Sequence, residues 1–190
     1  MKFQPDSEQI PQKGSLLISE PFMDDPYFKR TVILLCEHND EGSFGFVLNR
    51  YIDVKVHDIV ADLPELENRI SVGGPVRNEN LFYLHKLGEE LEGSTEVAPG
   101  IFMGGHFDIL KDKINNGVVD PADIRFFIGY SGWSESQLDS EIQSRSWLVI
   151  PAEGTDIMNT EEDNLWSEVL RDKGDDFSHF ANFPKNPSLN

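Results

Sequence analysis

Residues 14–50, GSLLISEPFMDDPYFKRTVILLCEHNDEGSFGFVLNR, constrain the fold more than any other part of the chain. Ser15–Ser19 reads as a short strand. Regular structure then stops between Pro21 and Pro26, because proline disfavours helix both at its own position and in the residue before it. Residues 31–38 are β-branched and aliphatic, residues 44–49 are similar, and the 39–43 link is rich in turn formers. That order predicts an antiparallel hairpin. Cys36 follows Leu34 and Leu35 and reads as a buried, inert thiol.

Downstream, strands and helices are interspersed. Val56, Ile59, Val60 and Leu63 recur at helical spacing up to Pro64, which predicts a short amphipathic helix. Ile70–Val72 is a strand ending at Gly73-Gly74-Pro75, followed by strands at 80–87 and 101–103. A helix is expected over 106–116, with Gly117 suited to the left-handed position beyond it. Residues 124–130 form a buried strand. Ser134 can then cap a helix to about Ser144, with Gln137 reaching back and Trp133 packing on Leu138. Trp147–Pro151 is a strand. A last helix over 161–173 buries Leu165, Trp166, Val169 and Leu170. The early hairpin and short connections argue against a regular parallel sheet. We expect one α+β domain over 1–190, mostly antiparallel, with an N-terminal arm at 1–13. The tail at 175–190 should lie against the body through Phe177, Phe180 and Phe183.

Charge narrows the function classes. The chain carries 34 acidic and 16 basic residues, a net charge of −18. Such a surface repels phosphate backbones and anionic lipid heads, so direct nucleic-acid binding and a membrane role are not expected. Nine acidic residues against Arg171 and Lys173 between 153 and 176 make the last helix a solvated face or a surface for a basic partner. No apolar run approaches the ~18 residues of a membrane span, the N-terminus lacks a secretory apolar core, and the single cysteine suits a reducing compartment. The expected location is cytoplasmic.

No catalytic set is complete. Gly129-Tyr130-Ser131-Gly132-Trp133 lies between a strand and a helix, as a nucleophile elbow would. However, Trp133 stands where an elbow needs glycine. Asp24, Asp25, Glu37, His38, Asp40 and Glu41 match no metal-ligand spacing and read first as turn caps and a solvated hairpin tip. The five histidines lack HExxH or HxH spacing. His106 follows Gly104-Gly105 at a helix start, where a ligand can approach the backbone. Gly73-Gly74-Pro75 reads first as a tight turn and second as a ligand loop. The candidate ligand-binding residues are therefore Gly73, Gly74, Gly104, Gly105, His106, Tyr130, Ser131 and Gly132. No catalytic residue, metal ligand or cofactor is assigned.

Several segments together resemble the bacterial YqgE/AlgH family. They are residues 14–19 with Pro21, Asp25, Phe28, Arg30-Thr31-Val32, His38, Gly42, Gly45 and Asn49-Arg50, then Gly73-Gly74-Pro75-Val76, residues 125–133, Gln137-Leu138, Glu141, Trp147, Leu165-Trp166 and Val169-Leu170. The resemblance implies a bifurcated sheet folded into a pseudo-barrel with flanking helices. It brings the label of transcriptional regulator without agreed catalytic residues. Where the family often has glycine before the Gln-Leu pair, this chain has Ser136. The leading expectation is a non-enzymatic regulatory protein that binds a small molecule or a protein partner without direct DNA contact. The alternative is a hydrolase or ligand-modifying enzyme using Ser131 or His106 in a glycine-lined cleft built from 73–75, 104–106 and 129–133. A scaffold or oligomer without a small ligand is the third reading.

Overall fold

In the computed structural model, which describes residues 10–183, the opening block forms the centre of the sheet. Strand β1 (Ser15–Ser19) is buried along its whole length. It lies between β2 (Val32–Asn39) and β10 (Trp147–Pro151), antiparallel to both. The expected hairpin pairs β2 with β3 (Gly42–Val47), with a bulge between Leu35 and Glu37. Because successive side chains face opposite sides of a strand, Leu16, Ile18, Val32 and Leu34 enter one cluster while Leu17, Ile33 and Leu35 enter another. Both faces are therefore covered, which explains uninterrupted apolar runs in an antiparallel setting.

The remaining strands are β4 (Tyr51–Ile52), β5 (Ile70–Val72), β6 (Val76–His85), β7 (Ser94–Ala98), β8 (Ile101–Gly104) and β9 (Ile124–Ser134). The order β10-β1-β2-β3-β9-β6-β8-β7 makes one curled sheet, with β7 approaching β2, and β4 and β5 lie off this path. Every recorded pairing is antiparallel except β5 with β9. This is the single α+β domain expected, a half-barrel with few helices.

The helices cover the open faces. Helix α2 (Phe107–Asn115) places Leu110 and Ile114 in a cluster with Tyr83, Ile124 and Phe126. Helices α4 (Leu165–Asp172) and α5 (Asp175–Ala181) bury Leu165, Trp166, Val169, Leu170, Phe177 and Phe180 against β1 and β2. The tail expected to lie on the body is thus helical at its start. Phe183 stays 38% exposed, and residues 184–190 lie outside the described residues. Residues 1–9 of the expected arm also lie outside them.

Three local expectations are corrected. The helix read around residues 56–63 shrinks to α1 (Val56–Ile59): Val60 is already extended and Asp62 adopts a φ of +70°, so the apolar spacing is met without a continued helix. The last helix starts at Leu165 rather than 161, because side-chain-bonded turns occupy 159–164. Ser134 is not a helix cap. Strand β9 runs through it, and α3 (Gln137–Gln143) begins after Ser136. The contact with Gln137 does form, since its Oε1 accepts from the Ser134 amide at 3.0 Å. Trp133 and Leu138 share a cluster, as a staple would place them.

Candidate ligand-binding cavity

Strand β9 is the axis of the site. Its first half has β5 and β6 as partners, and its last residues pair with β3, Gly45 opposite Ser131 and Gly42 opposite Ser134. Strand β6 meets Tyr130 through Val76, leaves the ladder over 77–80, and rejoins at Leu81 opposite Ile128. The sheet therefore forks beside Tyr130. A cavity of about 1030 Å³ fills the fork, near the upper end for small-molecule sites.

Its floor is aromatic. Tyr130 meets Phe44 at 5.9 Å and 74°, and Phe82 at 5.7 Å and 84°, measured between ring centroids and planes. Phe46 sits behind these rings, fully buried and stacked on Phe127 at 4.6 Å. Met103, Val76 and Leu81 extend the apolar lining, Phe107 borders it from α2, and Ile59 at the end of α1 and Val60 just after it close it. Polar side chains stand at the mouth: Glu37, Asn39 and Glu41 on the β2–β3 hairpin, and Arg77 where β6 bulges. Arg77 is exposed and held at a φ of +47°.

Gly104 and Gly105 border the cavity through their backbone. The Tyr83 hydroxyl donates to the Gly105 carbonyl at 2.7 Å, and burial pushes that phenol up to about 12. His85 is fully buried, with Nδ1 accepting from the Leu87 amide at 3.2 Å, so Nε2 donates to the Gly104 carbonyl at 3.0 Å. That neutral tautomer satisfies both ring nitrogens, and desolvation lowers the imidazole pKa, partly opposed by the bond to Gly104.

The candidates from sequence divide cleanly. Gly104, Gly105, Tyr130 and Gly132 line the cavity, whereas Gly73, Gly74, His106 and Ser131 do not. Ser131 is fully buried between two cavity-facing neighbours on its strand, and its hydroxyl donates to the Gly73 carbonyl at 3.0 Å. It is a structural hydroxyl rather than a nucleophile. His106 is exposed beside Gly93, with its amide bonded to the Glu92 carbonyl at 3.0 Å. Gly73 and Gly74 press against the β9 backbone: a Cβ at Gly73 would sit 2.3 Å from the Gly129 oxygen, and one at Gly74 2.3 Å from the Tyr130 carbonyl. They let the chain step from β5 to β6, which pair with β9 in opposite directions. Glycine is required there by backbone approach, not by a ligand.

The other conspicuous side chains also have structural partners. The Asp25 carboxylate accepts from the Tyr27 and Phe28 amides, capping a turn as expected. Cys36 is 2% exposed and its thiol pKa is raised by burial. Glu141 Oε2 accepts from the indoles of Trp133 and Trp147 at 2.9 and 2.8 Å, tying α3 to two strands. Arg125, fully buried in β9, donates to the carbonyls of Leu48, Ile157 and Asn159 and to the Ser71 hydroxyl. Sequence reasoning missed Phe44, Phe82 and Met103 as site residues, since each reads as strand core until the fork is known. It also missed Arg125, which one cation inside the apolar run at 124–128 could have signalled.

Together, the forked, curled sheet and its aromatic cavity define an α+β domain built around a ligand-sized space. The chain belongs to the AlgH-like family, whose model matches residues 16–178. It is 39% identical over 182 residues to a UPF0301 protein of Chlorobaculum tepidum, covering 96% of this chain and 97% of that one. It is 41% identical over 179 residues to one from Chlorobium phaeobacteroides, covering 94% and 96%. The solution structure of the AlgH protein from Pseudomonas aeruginosa is similar with a TM-score of 0.72 at 27% identity, covering 95% of this chain and 99% of that one. A Corynebacterium diphtheriae crystal structure shares the fold, with a TM-score of 0.74 at 24% identity over 93% and 95% of the two chains.

Proposed function

We propose that the protein is a non-enzymatic, cytoplasmic regulatory protein that receives a small, partly apolar ligand, or a side chain of a partner protein, in the fork cavity. The observation that carries this reading is the aromatic floor of Phe44, Phe82 and Tyr130 under about 1030 Å³ of space. Such a site gains from excluding water from ring surface and orients its ligand with a few polar groups. A hydrolytic reading lacks support, because the Ser131 hydroxyl is committed to a backbone carbonyl and His106 lies off the cavity. A net charge of −18 favours regulation without contact to DNA. Among the described residues no helix is long and apolar enough to cross a membrane.

The test is a thermal-shift screen with small aromatic and aliphatic amphiphiles. A ligand at a hundred times its dissociation constant adds about 2.7 kcal/mol, or roughly 5–10 °C for a chain of this length. Val76→Trp, which fills the cavity, should abolish the shift, and Ser131→Ala should leave it intact. Shifts that survive Val76→Trp, or tight duplex binding that weakens steeply with salt, would overturn the reading.

A further inference from the structure

We infer that the cavity is selective for organic ammonium ions; this rests on the ligand-binding reading of the same site and specifies its chemistry. The first ground is the arrangement of rings. Phe44 and Phe82 both stand near-perpendicular to Tyr130, at 5.9 and 5.7 Å, and all three are half-buried on the cavity surface. Two rings each steeply inclined to Tyr130 offer a compact cation more than one π face, and the ring quadrupole attracts positive charge. An ammonium carrying methyl groups suits such walls, because it surrenders little hydration on leaving water.

The second ground is charge. The carboxylates on the cavity lining are Glu37 and Glu41, and the cation there is Arg77, which leaves the mouth net negative. Both carboxylates belong to the hairpin that carries Phe44, so the acidic rim adjoins one wall of the cavity. The surrounding field reinforces the sign, since the chain carries −18 overall and concentrates cations at its surface. Arg77 opposes an ammonium. It is exposed, sits at the bulge rather than among the rings, and makes no recorded ion pair among the described residues. Its removal therefore separates cation from anion recognition, since a carboxylate ligand would depend on it.

Titration calorimetry of the full chain compares choline with its uncharged analogue, in which carbon replaces the ammonium nitrogen and the shape is kept. Choline should bind at least about fivefold more tightly. Arg77→Ala should strengthen choline binding, Tyr130→Leu should weaken it at least about fivefold, and Tyr130→Phe, which keeps the ring face, should largely preserve it. Phe44→Leu repeats the ring test should Tyr130→Leu fail to fold. A peptide bearing trimethyllysine, run alongside, separates a free ammonium compound from a head carried on a partner chain: the tighter binder is the source. Equal binding of choline and its analogue, both displaced by Val76→Trp, overturns the ammonium inference while the cavity reading stands. Weaker choline binding by Arg77→Ala also overturns it. If choline, its analogue and the peptide all fail to bind while other amphiphiles still give shifts that Val76→Trp abolishes, the ammonium inference alone falls. If no amphiphile gives such a shift, both readings fall.

Discussion

Replacing Arg125 by methionine tests whether a buried cation can hold this sheet together through carbonyl and hydroxyl acceptors, with no recorded salt bridge to it among the described residues. The guanidinium reaches Leu48 at the end of the hairpin, Ser71 on β5, and Ile157 and Asn159 in the loop before α4. Burial lowers its pKa to about 10 from 12.5, with Tyr51 opposing the shift. At about 1.4 kcal/mol per pKa unit, the net shift amounts to roughly 3 kcal/mol against the charged form, which methionine would remove at similar volume. Against that gain, the Leu48 and Ile157 carbonyls and the Ser71 hydroxyl, all on buried residues, would lose their donor at roughly 1–3 kcal/mol each. Asn159 is exposed, so water can replace its bond. The losses outweigh the relief, and the expected net destabilisation is about 3 kcal/mol.

Urea denaturation reads this directly. With a slope of roughly 2 kcal/mol per molar, Arg125→Met should lower the midpoint by about 1.5 M at an unchanged slope. Arg125→Lys should also fall below the wild type, because one ammonium cannot span acceptors on three separate segments. Hydrogen exchange should locate the loss in the segment around 157–159. A methionine variant as stable as the wild type would refute the reasoning, because desolvation would then exceed everything the clamp contributes.

Two further outcomes are expected. Ser136 adopts a φ of +57°; Ser136→Gly should raise stability by about 1 kcal/mol, read as a higher melting temperature, and a lower one would show that the serine side chain matters more than backbone strain. Buried neutral His85 has a folded pKa below its unfolded value near 6.5, so the unfolded chain binds the extra proton first. Its stabilising contribution is fully present above about pH 6.5 and is lost as pH falls toward the lowered folded pKa. His85→Gln should flatten that slope in denaturation series across the window, and an unchanged slope would count against it.

Much of the sheet was legible where strands are short, largely buried and bounded by breakers. Ser15–Ser19, Ile70–Val72 and Trp147–Pro151 stand where their composition puts them. The errors arose where local signals had two uses. Trp133-Ser134 carries a good helix start, yet pairing with Gly42 and Ser43 extends β9 through it. The apolar spacing around 56–63 was satisfied by packing Val56 and Leu63 into one cluster without a continuous helix. The cavity was only partly legible. Gly104, Gly105, Tyr130 and Gly132, candidates because of their glycine-rich surroundings, lie on its lining, whereas Phe44 and Phe82 reach it only through pairing between distant strands.

The glycines that do not touch the cavity are nonetheless the reason it exists. A strand flanked by close neighbours along its whole length leaves no space beside it, because adjacent strands lie about 4.8 Å apart. Here Gly73 and Gly74 cross the β9 backbone at Gly129 and Tyr130, and the chain then needs the 77–80 bulge before β6 regains the ladder at Leu81. The crossing opens the fork, Tyr130 floors it, and Arg77 is carried to its mouth by the same bulge. Backbone geometry thus sets the volume, and under the proposed ligand-binding reading selectivity would fall to the exposed rim side chains Glu37, Glu41 and Arg77.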